Sequence, residues 1–184
     1  MISKILPIAA WLFSSHAVAR TVTPECVWNH LPQPTREDVF AKYHAAGAEG
    51  FGRAAIGDDQ VIGAYRACSP HSQDEPPLEL GPALVGTALR FSAAHELRSS
   101  DGLNTDVLDS AWQKLTGAER QLLITAFRHP EADIPREAFD ALDKAVRLAG
   151  LRMGSRSPRY RSYADYFMGR AEEQAYSAPA VSPK

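Results

Sequence analysis

The sequence predicts an all-α fold, an irregular bundle of about six to seven helices held by one disulfide. Apolar residues recur along most of the chain at the three- and four-residue spacing that places them on one helical face. Residues that favour helix starts and helix ends bracket these segments, and no segment shows the alternation of a convincing strand. Two cysteines follow an export-type leader, which favours the disulfide.

Residues 1–19 have the features of a secretory signal peptide. Lys4 precedes an apolar run at 5–13, and residues 17–19 form the small-residue pattern that signal peptidase accepts. The run is shorter than the about 20 residues that a permanent membrane helix needs, so we predict no transmembrane anchor. We therefore expect a periplasmic or secreted protein whose mature chain begins at Arg20 after cleavage near Ala19.

Cys26 and Cys68 are predicted to form a disulfide, because an exported chain reaches an oxidising compartment. The two positions are 42 residues apart. Closing a loop of that length removes unfolded-state entropy worth about 4 kcal/mol. A metal-binding role for the thiols would need a second pair of ligands close in sequence, and we identify no such pair.

Composition and charge indicate one globular domain with an appended segment. Lys4 is the only charged residue of the leader, so cleavage changes the formal net charge from −2 to −3, which does not favour a nucleic-acid partner. The hydrophobic fraction, 45%, is typical of a globular protein. After the leader we expect a helical domain at 20–151, a basic and aromatic helical segment at 152–176 and a disordered tail at 177–184.

The first half of the mature chain contains three predicted helices. Thr35 is expected to cap the first, which ends before Gly47. The acidic pair that begins with Asp58 favours the start of the second, which leads to Cys68. The third is the longest, because apolar residues follow at spacings of four, four and three until a polar stretch at 99–102.

Three more helices with short connections are predicted in the centre of the chain, where they should pack as neighbours. The first carries an apolar stripe that includes Val107 and Trp112. Thr116 and Glu119 form the T-x-x-E capping box of the second. The third is expected to face the core with three side chains, Phe139, Leu142 and Val146.

The segment after residue 151 mixes arginines with aromatic residues. Tyr163, Tyr166 and Phe167 share a helical face, which predicts a last helix with these rings on the core and its arginines in water. Arginines beside aromatic rings also suit nucleic acid, but export argues against that partner. The interaction surface that we predict here comprises Arg156, Arg159, Tyr160, Arg161 and Tyr163.

The sequence predicts no catalytic residue, no cofactor and no metal site. Gly50, Gly52 and Ala55 match the dinucleotide pattern GxGxxA, but they follow a predicted helix rather than a strand. No two histidines of the mature chain stand three or four residues apart, and no serine-nucleophile motif is present. The acidic pairs at 106 and 109 and at 140 and 143 are interpreted as solvated helix surface.

These observations favour a small exported helical protein that binds another protein of the cell envelope and is not an enzyme. The alternative is a small envelope hydrolase or metal-dependent enzyme with a site assembled from scattered His, Asp and Glu residues. Convergence of His71, His95 or His129 with acidic side chains in one pocket would favour that enzyme. Weak peripheral contact with an anionic envelope surface is a third hypothesis, and it predicts salt-sensitive binding through the arginines.

Expression of the whole chain in a cell that exports proteins is expected to yield a product outside the cytoplasm with Arg20 as its first residue. N-terminal sequencing and intact mass measure the cleavage point. Ala19→Tyr is the control, because the peptidase rejects a large side chain at this position and the leader should remain. A cytoplasmic product that retains Met1 and two free thiols would contradict the assignment.

Overall fold

The computed structural model describes residues 22–51, 56–70, 75–128, 133–151 and 158–177. These residues form nine helices and no strand, which confirms the predicted fold class. A disulfide joins Cys26 to Cys68, as predicted, whereas the predicted leader lies outside the described residues. In chain order the helices are α1 (Pro24–His30), α2 (Gln33–Ala46), α3 (Ala48–Phe51), α4 (Asp58–Cys68), α5 (Leu80–Asp101), α6 (Asp106–Lys114), α7 (Gly117–Arg128), α8 (Arg136–Leu148) and α9 (Pro158–Ser177).

The buried apolar side chains form two clusters. The smaller core lies among α1, α2, α4 and the first half of α5, and it contains Trp28 and Tyr65. The larger core lies mainly among the second half of α5 and helices α6 to α9, and it contains Trp112 and Phe167. Helix α5 contributes side chains to both clusters, so it forms a wall that the two cores share.

Local sequence signals account for several helix ends. Gly47 and Gly102 follow α2 and α5 with φ of 63° and 62°, a backbone conformation that glycine adopts without steric cost. The predicted capping box before α7 is confirmed. Oγ1 of Thr116 accepts a hydrogen bond from the amide of Glu119 at 3.2 Å, and the carboxylate of Glu119 accepts one from the amide of Thr116 at 2.8 Å.

Helix α1 is the main element that the sequence analysis does not predict. Its start carries ordinary signals, because Oγ1 of Thr23 accepts a hydrogen bond from the amide of Cys26 at 3.2 Å and Pro24 occupies the first helical position. Seven residues are too few for an apolar stripe to repeat, so periodicity does not reveal this helix. Helix α2 also begins earlier than predicted, at Gln33 instead of just after Thr35.

The predicted core position of Phe139 is wrong, because this side chain is 54% exposed. Ala138 takes the buried place instead, because alanine lets α8 approach the bundle more closely than phenylalanine would, whereas Leu142 and Val146 are buried as predicted. Val107 is likewise 40% exposed, although Trp112 on the same helix is buried as predicted. The buried face of α8 consists of Ala138, Ala141, Leu142, Ala145 and Val146.

Helices α5 and α9 make the most extensive helix contact of the described residues. Gly86 and Gly169 stand at their crossing, where the two backbones touch. A Cβ added at Gly86 would lie 2.5 Å from the amide nitrogen of Glu173, and one added at Gly169 would lie 2.6 Å from the carbonyl oxygen of Gly86. No ordinary packing tolerates such short contacts, so both positions require glycine.

Gly86→Ala is expected to lower the free energy of unfolding by about 1–3 kcal/mol, because the added methyl group forces α5 and α9 apart. Gly63→Ala in α4 is the matched control. A Cβ at Gly63 meets no described atom within 4 Å, so this change should be neutral or stabilise by up to about 1 kcal/mol. Urea unfolding followed by circular dichroism measures both, and equal midpoints for the two variants would contradict the close crossing.

Candidate functional site

The first candidate site is the group of Cys26, His30 and Cys68, which we call the cystine corner. The disulfide joins α1 to α4 with a Cα–Cα distance of 6.0 Å. Cys26 and His30 stand four residues apart in α1, so about one helical turn places them on the same face. The cysteine residues are partly buried and His30 is exposed, so solvent reaches the corner.

The imidazole of His30 lies close to both sulfur atoms. Its Nδ1 is 3.4 Å from Sγ of Cys68 and 3.6 Å from Sγ of Cys26, and it is 2.9 Å from the carbonyl oxygen of Cys26. Within the described ranges, these three side chains are the one group whose donor atoms are close enough to share a metal ion. His30 is not among the predicted site residues, although Cys26 and His30 have the C-x-x-x-H spacing that places two ligands on one helical turn.

Aromatic packing fixes the position of the cystine corner. The ring of Trp28 in α1 packs against Phe40 and against Phe91, with centroid distances of 5.8 Å and 5.9 Å. These contacts press α1 against α2 and α5 and contribute about 0.5–1.5 kcal/mol per pair beyond the buried area. The corner therefore rests on the smaller core, and the disulfide is not its sole support.

The predicted interaction surface falls on the first turns of α9, except for Arg156, which lies outside the described residues. Arg159 and Arg161 are exposed. Tyr160 is partly buried, and Tyr163 is only 6% exposed because it belongs to the larger core. The two tyrosines thus help to anchor the helix, while a role of the arginines in binding a partner stays a prediction.

We call Arg159 and Arg161 the arginine end of α9. It adjoins the C-terminal ends of two other helices. Nη2 of Arg159 is 3.1 Å from a carboxylate oxygen of Asp101, the last residue of α5. The side chain of Arg161 passes Gly47, the residue that follows α2, because a Cβ added at Gly47 would lie 3.1 Å from Cδ of Arg161.

Three tyrosine–aspartate hydrogen bonds fasten α9 to α2, α6 and α8. In each pair the phenol O–H donates to a carboxylate oxygen, which is a charge-assisted bond. Asp109 and Asp143, interpreted above as solvated helix surface, are partly exposed, and each also accepts a hydrogen bond from α9. The pairs are Tyr43 with Asp165 (2.8 Å), Tyr160 with Asp143, and Tyr166 with Asp109 (2.8 Å).

A buried arginine connects three helices beneath the surface. Arg90 in α5 is 7% exposed, and its Nε donates to the carboxylate of Glu173 in α9 at 2.9 Å. Its Nη2 donates to the carboxylate of Glu25 in α1 at 3.3 Å. A buried charge is tolerated only when it is paired in this way, so Arg90 joins α1 to the contact between α5 and α9.

The histidines that would favour an enzyme give no assembled site in the described residues. His71 and His129 lie outside those residues. His95 is exposed and stacks on the ring of Phe40 with a centroid distance of 4.4 Å. It belongs to no group of three or more ligand-type side chains in the described ranges.

The dinucleotide-like pattern is only partly covered, because positions 52–55 lie outside the described residues. Gly50 lies in α3 and is buried against α2. A Cβ at this position would lie 2.2 Å from the carbonyl oxygen of Lys42. The first glycine of the pattern therefore permits the close contact of two helices.

No protein-family model matches this sequence, and neither the curated proteins nor the solved structures give a match. Among the described residues, none of the helices is both long enough and apolar enough to cross a membrane.

One carboxyl group of α9, that of Glu172, has a raised pKa. Glu172 is partly buried beside Gly86, where its Cβ would lie 2.9 Å from a Cβ added to the glycine. Burial raises the pKa of Glu172 from its ordinary 4.5 to about 7. The folded protein consequently holds this proton over a pH range in which the unfolded chain releases it.

Glu172→Gln is expected to remove a loss of stability that occurs as pH rises. Below about pH 4 Glu172 is protonated in both the folded and the unfolded protein, so its raised pKa has no effect on stability. As pH rises from there to about 7, only the unfolded chain releases the proton, and the folded state loses stability. The variant should therefore gain stability relative to the natural chain at about pH 8 and differ little at about pH 4. Urea midpoints across this range measure the difference, with Glu75→Gln in an exposed loop as control. Parallel curves for Glu172→Gln and the natural chain would contradict the assignment.

Proposed function

We propose that this chain is a small exported helical protein, not an enzyme, that binds an acidic surface of another protein in the cell envelope. The arginine end of α9 is the proposed contact. The observation that carries the proposal is the exposure of Arg159 and Arg161 on a helix whose opposite face is buried in the larger core. Arginine is enriched in protein interfaces, and its planar guanidinium group can bind a carboxylate through two hydrogen bonds.

The arginine end is held on a rigid support. Buried Tyr163, Tyr166 and Phe167 anchor α9, and the tyrosine–aspartate bonds tie it to three neighbouring helices. A binding group on an ordered helix loses less conformational entropy on association than one on a mobile loop. Arg159 is the exposed partner of its ion pair with Asp101, since its side chain is 61% exposed against 14% for Asp101. The guanidinium group has five N–H donors, so it can bind a carboxylate of a partner while it stays paired with Asp101.

The disulfide supports the exported location. Bonds of this kind form and persist in periplasmic and secreted proteins, whereas cytosolic thiols are mostly kept reduced. The bond ties α1 to α4 at the smaller core, far along the chain from the arginine end. A stapled frame with a separate charged surface is an arrangement suited to binding.

The test is enrichment of crosslinked partners from the periplasmic or secreted fraction with a tagged chain. The natural chain should recover a specific protein at low salt and lose it as the salt concentration rises, because exposed charge pairs are screened. The double variant Arg159→Glu and Arg161→Glu should lose the same protein. Arg66→Glu, which reverses an exposed arginine of α4, is the matched control and should keep it.

Equal recovery by the double variant and by Arg66→Glu would overturn the proposed contact. Binding of the natural chain to vesicles rich in anionic lipid, with no protein recovered, would replace the protein partner by peripheral envelope contact. A hydrolytic activity that survives purification and is lost when a single His is replaced would favour the enzyme alternative. Circular dichroism of each variant verifies that the helices are intact.

A further inference from the structure

The cystine corner has the spacing of a metal site as well as that of a disulfide. A tetrahedral zinc ion with Zn–S of about 2.3 Å and Zn–N of about 2.0–2.1 Å sets its sulfur and nitrogen donors about 3.5 Å apart. Nδ1 of His30 stands 3.4 Å and 3.6 Å from the sulfur atoms of Cys68 and Cys26. Two of the three donor–donor distances of such a site are therefore already present.

The third distance depends on the redox state. While the sulfur atoms are bonded they cannot act as thiolate ligands, and a zinc site needs them about 3.8 Å apart. A dithiol reductant can open the bond by attack of its thiolate on one sulfur, which displaces the other as a thiolate. Its second thiol then releases the remaining cysteine and becomes part of the reductant's own disulfide. The protein gains two electrons and two protons in this exchange.

We propose that reduction converts the cystine corner into a binding site for a thiophilic divalent cation such as Zn²⁺, with Cys26, Cys68 and His30 as its three protein ligands. Binding releases the two thiol protons, and the two thiolates neutralise the charge of the ion. The imidazole of His30 exchanges its contact with the carbonyl oxygen of Cys26 for the metal. Water or an external ligand completes the four positions, since the corner is open to solvent.

The fold favours this site because neither helix has to move far. Cys26 and His30 are held on one turn of α1, and Trp28 fixes that helix on the smaller core. Cys68 is the last residue of α4, where its Cα is 6.0 Å from that of Cys26. Only the cysteine side chains and the His30 ring need to rotate. The metal then joins the same two helices that the disulfide joins, so α1 and α4 stay connected in both redox states.

The metal site is independent of the proposed binding at the arginine end, and the experiment separates them. Purified protein is kept oxidised or is reduced with a phosphine, which adds no thiol ligand, and each sample is titrated with Zn²⁺ against a chromophoric chelator. The reduced protein should bind one ion per chain and the oxidised protein none. Co²⁺ added to the reduced protein should give the intense visible bands of a tetrahedral ion together with a sulfur-to-metal charge-transfer band.

Variants test each ligand. Loss of a residue that only supports a metal ligand weakens metal binding by about 10- to 100-fold. His30→Ala removes a ligand itself, so it should weaken Zn²⁺ binding to the reduced protein at least as much. His44→Ala, which replaces another exposed histidine, should leave binding unchanged. Equal affinity of His30→Ala and the natural chain would overturn the ligand set. Binding of Zn²⁺ by the oxidised protein, or no binding by the reduced one, would overturn the site itself.

If reduction lowers the helical content, circular dichroism of the reduced protein provides a second test of the site. Zn²⁺ should then restore the helical signal of the reduced natural chain, because the metal replaces the lost link between α1 and α4. The same addition should not restore the signal of the double variant Cys26→Ser and Cys68→Ser. Recovery in the double variant, or none in the natural chain, would overturn the proposal.

Discussion

The contact between α5 and α9 is the constraint on which the rest of the structure depends. Gly86 and Gly169 let the two backbones meet without intervening side chains, and this proximity allows Arg90 to reach Glu173 while both are buried. Helix α9 in turn supplies partners to α2, α6 and α8. The bundle is thus organised around two long helices that touch, and the shorter helices attach to them through polar bonds and aromatic rings.

Much of this fold was accessible from the sequence, because capping residues and apolar spacing are local signals. Thr116 and Glu119 predict their capping box, and Gly47 and the polar stretch at 99–102 predict two helix ends that the structure confirms. The exposed position of Phe139 could not be predicted from the sequence. Which of two neighbouring residues faces the core is decided by how closely α8 approaches the bundle, and that distance is a tertiary property.

The polar connections were hidden for a related reason. Tyr43 and Asp165 are 122 positions apart, and no pattern in a single sequence joins them. The disulfide was predictable, because only two cysteines were available in a chain with an export-type leader. His30 is the instructive omission, since its spacing from Cys26 becomes meaningful only when α1 is known to be a helix. Similarly, the arginine–tyrosine composition of the last segment predicts a docked helix, but not which of its arginines stay exposed.

The position of α5 between the two cores has a consequence for how the protein unfolds. The α5 side chains Leu84 and Ala88 belong to the smaller core, and Ala93 and Leu97 belong to the larger core. Both cores therefore pack against the same helix. Loss of order in either half removes a surface against which the other half is packed. The protein is therefore built to lose its structure in one cooperative transition, although its single covalent link lies wholly in one half.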